Sequence, residues 1–296
     1  MNRSVLNRAT KLLCLFVSAI ISVSVLQAKI DNKLTPAELV AKHLESIGPA
    51  EARARVHTTA IKGTCVITVK LGGNGQSEGQ VLMASQGSQN LINMGFDSEG
   101  SSTWVKFDGS KATVSQFRPG RRTSLEQFFA AYDVVVKEGL IGGALSESWP
   151  LLDLQQKNPK LEYAGIKKIG GKELHAIRYT PRKGSDLKIT LFFDTATFQH
   201  VRTEYEQTIY ANDQQRIAGG GGTLPSISNQ RSANARINAY EEFSDVKPEG
   251  GLNLPHTYKF ELSIQSEVRP ALIDWVINLT SFKFNEPLDA KQFSGN

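Results

Sequence analysis

From residue 56 to residue 284 the chain repeats one pattern. Short runs rich in Val, Ile, Thr and aromatic residues are each closed by a cluster of Gly, Asp or Asn. The runs span residues 56–71, 79–85, 89–96, 103–107, 112–117, 161–167, 173–180, 187–193, 200–210, 235–243, 255–264 and 272–284. Most gaps between them are too short for a crossover helix, so successive strands must pair antiparallel. Asp108-Gly109 between two such runs is a hairpin signal with a mechanism, because only residues tolerant of positive φ fit the tight turn. A doubly wound parallel sheet is thereby excluded. Twelve strands in meander order predict a mainly β (α+β) fold: one strongly curved antiparallel sheet, or unclosed barrel, with helices on its concave face.

Two stretches break this rhythm with helical spacing. Thr35-Pro36-Ala37-Glu38 reads as a capping box with Pro at the first helical position. Leu39, Val40, Leu44 and Ile47 follow on one face, and Gly48 stops the helix. Thr123-Ser124-Leu125-Glu126 is a second capping box. From it, Leu125, Phe128, Phe129, Tyr132, Val135 and Val136 form a single apolar stripe that ends at Gly139. Core packing accounts for such a stripe. So does a lid over an apolar cavity, since the aromatics are bulky and Gly139, Gly142 and Gly143 would let the segment shift. The lid reading makes Leu125, Phe128, Phe129, Tyr132 and Val136, with the following Trp149 and Leu151, the candidate ligand-contacting residues. Residues 211–234 are polar, contain Gly219 to Gly222, and read as a long loop.

The first 28 residues read as an export signal. Arg3, Arg8 and Lys11 precede a run from Leu12 to Leu26 that is apolar save for three serines, and Ala28 ends it. The run is shorter than the roughly 20 residues a spanning helix needs. Cleavage would leave a single domain, 29–296, destined for the periplasm. Losing residues 1–28 removes three cations and no acid, so the formal charge falls from +5 to +2. That charge argues against a nucleic-acid partner. Of the two cysteines, Cys14 lies in the signal, so the mature chain has no intramolecular disulfide; Cys65 in an apolar run reads as a buried thiol.

No catalytic constellation is visible. The chain lacks a Gly-x-Ser-x-Gly elbow, a phosphate-cradling loop before a helix and a His-Glu-x-x-His motif. His43, His57, His175, His200 and His256 are scattered singly, so no metal and no cofactor is expected. Glu241-Glu242 and Asp186 with Asp194 read as solvated strand charges, because neighbouring strand residues point to opposite faces.

The end of the chain carries a resemblance. Phe243 to Pro255, with Asp245, Gly250-Gly251 and Leu254-Pro255, resembles a segment of periplasmic lipoprotein-carrier-like proteins. Asn285, Pro287-Leu288-Asp289 and Phe293 are similar to that family's closing motif. The first helix, Leu39 to Gly48, and the strand around Ile61-Lys62-Gly63 agree with its start. The resemblance to the LolA-like superfamily implies an unclosed barrel with helices over a hydrophobic mouth. It implies binding and transport of a lipid or lipoprotein acyl chain without catalysis, by a monomer, with inner- and outer-membrane envelope proteins as candidate partners. The other reading that the residues leave open is a non-catalytic envelope module whose sheet docks a partner.

Overall fold

The computed structural model describes residues 34–73, 75–96, 102–210, 234–267 and 270–295. The predicted export signal, and all but the last residue of the predicted 211–234 loop, lie outside these residues.

The alternating runs form twelve strands: β1 (Thr58–Leu71), β2 (Gly75–Gln86), β3 (Gln89–Phe96), β4 (Ser102–Phe107), β5 (Ala112–Val114), β6 (Lys160–Ile169), β7 (Lys172–Thr180), β8 (Lys188–Asp194), β9 (His200–Ile209), β10 (Ala235–Glu249), β11 (Leu252–Ser266) and β12 (Ala271–Phe284). All lie in one antiparallel sheet with the order β5-β4-β3-β2-β1-β12-β11-β10-β9-β8-β7-β6. Each half is the predicted meander. The halves are joined by β1 and β12, which pair from Thr59 opposite Phe284 to Leu71 opposite Leu272. The free edges are therefore β5 and β6, neighbours in sequence, and residues 115–159 run between them.

Contacts across the sheet measure its curvature. β3 and β7 stand eight places apart in the strand order, about 38 Å in a flat sheet. Yet Asn90 on β3 donates to the Val136 carbonyl at 3.1 Å, and Tyr179 on β7 donates to Glu138 at 2.6 Å. Val136 and Glu138 are two residues apart, a span of at most about 7 Å. Only a sheet wrapped round the 115–159 segment satisfies both contacts.

The helices are short. α1 (Pro36–Ile47) and α2 (Ala50–Ala54) lead the chain; α3 (Ser124–Ala131), α4 (Val134–Lys137) and α5 (Leu154–Lys157) lie in the inserted segment. Both predicted capping boxes are present, Thr35 with Glu38 and Thr123 with Glu126. The predicted helix through Val136, however, breaks at Tyr132, whose φ of −119° and ψ of 52° are not helical. Three consecutive β-branched residues, Val134 to Val136, propagate a helix poorly, and the chain restarts there as a single turn.

The motifs that carry the family resemblance hold strand ends. Asn285 accepts from the His57 amide and donates to the Arg55 carbonyl, each at 2.8 Å, which staples the end of β12 to the start of β1. Phe293 is fully buried against Ala84 and Leu91. Gly250-Gly251 makes the β10–β11 turn.

Candidate functional site

The concave face is largely apolar, because most buried inward positions of the alternation are Ile, Leu, Val, Met and aromatic residues. The segment between β5 and β6 fills it. Ser115 and the amides of Phe117 and Thr123 all donate to the buried Glu126 carboxylate, at 2.5, 3.1 and 2.7 Å, which fixes the start of α3 beside the end of β5. From there Leu125 and Phe129 point into a small cavity lined also by Met94, Phe260 and Trp275. Phe128 meets the rings of Phe129, Tyr132, Tyr205 and Phe260 with centroids 5.4 to 6.2 Å apart.

The cavity holds about 20 Å³, room for roughly one water molecule. Pockets for organic ligands usually measure about 300–1,000 Å³. In this conformation the inserted segment is thus a plug rather than a cover over open space. Six of the seven predicted residues are buried, and Tyr132 is half-buried. Burial pushes the Tyr132 phenol up to about 12, with Asp186 adding to the shift.

Trp149 lies in a different part of the core. Its indole stacks on His200 at 4.8 Å and donates to Nε2 of His43 at 3.2 Å. The Phe198 carbonyl faces Nδ1 of His43 at 3.2 Å. Trp can only donate and a carbonyl can only accept, so His43 is neutral with its proton on Nδ1. Burial lowers His43 to about 4 and also holds His200 well below its ordinary value. The histidines that are scattered in sequence therefore include one pair in contact, with ring centroids 6.0 Å apart. Among the described residues no group of three or more His, Cys, Asp or Glu is placed to hold a metal.

The glycines of the segment let it pack closely. Gly139 has φ +77°, and a Cβ there would sit 2.0 Å from the Ser148 carbonyl oxygen. Gly142 has φ +80°, and its Cβ would sit 2.5 Å from the Met83 methyl. Both are required for the plug to seat closely.

Sequence reasoning missed the polar centre of this site. Glu242 points outward as a strand charge, whereas Glu241 is wholly buried on the concave face of β10 rather than solvated. Its carboxylate accepts from Tyr205 at 2.6 Å, Tyr258 at 2.7 Å and the Gly142 amide at 2.8 Å. Burial pushes it up to about 7, and the three donors pull the other way. The same burial, reinforced by Glu241, raises both phenols well above their usual range. The signal was in the alternation: Ile237, Ala239, Glu241 and Phe243 share one face, so an acid occupies an inward position.

Among the described residues no helix is long and apolar enough to cross a membrane. No family model matches the chain, and no curated protein matches it in sequence. Solved structures do. A DUF1329 family protein from Desulfovibrio piger is 8% identical, with 87% of this chain and 96% of that one covered and a TM-score of 0.39. A domain from Vibrio parahaemolyticus assigned to outer membrane lipoprotein sorting is 13% identical, with 86% and 97% covered and a TM-score of 0.42. The chain is similar, over 88% of its length and 98% of the other's, to a LolA superfamily protein from Nitrosomonas europaea, at 9% identity and a TM-score of 0.47.

Proposed function

We propose that this chain binds a lipid or lipoprotein acyl chain in its concave hollow and carries it across the periplasm, without catalysis, after residues 1–28 have directed export. The observation that carries this reading is the origin of the filler. One continuous segment, joining the two free sheet edges, occupies the hollow, and such a segment can leave as a unit.

The energies of exchange support it. Exposing Leu125, Phe128, Phe129, Val135, Val136, Leu140, Ile141 and Leu145, all buried, costs about 1.5–3 kcal/mol each, or roughly 12–24 in all. A hexadecanoyl chain entering the hollow gains about 0.8 kcal/mol per CH₂, or roughly 12. The ligand term meets the lower end of the plug term, so a bound acyl chain offsets much of the cost of unseating the segment. Leu125, Phe128, Phe129, Tyr132 and Val136 then act as the gate, and Trp149 and Leu151 anchor its far end.

The purified protein is expected to take up a fluorescent fatty-acyl probe with a rise in emission. A well-folded protein that takes up none would contradict the reading. The nearly filled hollow is what favours the second reading, an envelope module whose sheet docks a partner. Mass spectrometry of organic extracts from natively purified protein separates the two: co-purified lipid supports carriage, and its absence alongside a captured envelope partner supports docking.

A further inference from the structure

Glu241 sits midway along the concave face. Its ladder partner on β11 is Phe260, whose partner on β12 is Trp275, and both rings line the cavity. Two of its three hydrogen-bond donors, Tyr205 and Tyr258, belong to the sheet and are as buried as it is. The third, the Gly142 amide, belongs to the plug. When the plug leaves, the sheet keeps a carboxyl group held by two phenols, and one lone pair loses its N–H. The neighbour of Glu241 on β11, Phe260, is apolar, and its neighbour on β9, Thr203, has its hydroxyl engaged with His200 at 2.9 Å, so neither supplies the lost donor.

We propose that the ligand of this hollow is an amphiphile whose head carries an N–H donor, an amide or an ammonium, which replaces the Gly142 amide on Glu241, while anionic heads are rejected. The inference rests on the carrier reading and names its ligand class. Above about pH 7, the value to which burial raises it, Glu241 is ionised and only accepts. A fatty-acid carboxylate or a phosphate in the same place would bring a second negative charge into a poorly screened interior and leave acceptor facing acceptor. An N–H head restores the bond that the plug gave up, and a cationic one makes it charge-assisted. The tail then lies along Phe260 and Trp275.

The test, at about pH 8 where Glu241 is ionised, displaces a bound fluorescent probe with an acyl-amide head from the intact protein with hexadecylamine, hexadecanamide or hexadecanoate, each below its micelle threshold. The amine and the amide are expected to compete at least about tenfold better than hexadecanoate, the size of one hydrogen bond to a charged group. In Glu241→Gln the amine should lose that advantage. Hexadecanoate competing as well as the amine overturns the head-group inference and leaves the carrier reading standing. An advantage of the amine that survives in Glu241→Gln overturns the assignment to this residue. A probe that never binds overturns the carrier reading itself.

Discussion

Phe128→Ala is expected to unseat the inserted segment while leaving the sheet folded. Phe128 is 3% exposed and packs on four aromatic rings, two of them from β9 and β11. Removing such a ring costs about 3–5 kcal/mol in lost burial and cavity formation. That is a large fraction of the stability of an ordinary domain, and it falls on a segment held in the hollow largely by its own side chains. The reporter is Cys65. It lies on the concave face opposite Ile277, is fully buried, and its thiol is pushed up to about 12 by that burial. In a chain carrying Cys14→Ser, Cys65 is the single thiol. Its reaction with a thiol reagent should be slow in the parent, and roughly a hundredfold to a few thousandfold faster in Phe128→Ala, in proportion to the opened population. Circular dichroism should show the strands intact. An inert thiol with a lowered global melting temperature would mean that the segment and the sheet unfold as one body.

The second large effect is a pH dependence set by Glu241. Its carboxyl is raised from 4.5 to about 7 in the folded chain, so the native state binds the proton more tightly than the unfolded one. The resulting stabilisation is complete below pH 4.5 and is lost as pH rises through about 7. A shift of this size corresponds to about 3 kcal/mol. Glu147 is also raised to about 7 by burial, and His43 is lowered to about 4. These groups titrate alike in Glu241→Gln, so the difference between the two proteins isolates Glu241. Denaturant unfolding should show the parent losing about 3 kcal/mol relative to Glu241→Gln between about pH 4 and about pH 8. A difference that stays flat across this range would remove Glu241 as the titrating group.

Much of the fold is written locally. Turn residues such as Asp108-Gly109 and Gly250-Gly251 bound alternating runs, and each half of the sheet follows from them. The pairing of β1 with β12 leaves no local trace. It joins residues such as Ile61 and Phe282, more than 200 positions apart, and only the shared burial of both strands selects it. That pairing decides where the sheet opens, and therefore why the inserted segment becomes a plug. The break at Tyr132 was hidden because the apolar stripe keeps its helical spacing across it. His43 on α1 meets His200 on β9 through a tertiary contact between residues far apart in sequence, which no local pattern shows. Glu241 is a different case, legible from its parity with Ile237, Ala239 and Phe243, but easily misread because a carboxylate on a strand is so often solvated.

The exchange of plug for ligand is tested most directly by amide hydrogen exchange, followed by mass spectrometry, with and without a bound fluorescent acyl probe. Loading is expected to strip protection from residues 124–145, the Gly142 amide among them, while the amides of β1 and β12 stay slow. If the probe binds and residues 124–145 remain as protected as before, the hollow is not where the ligand goes.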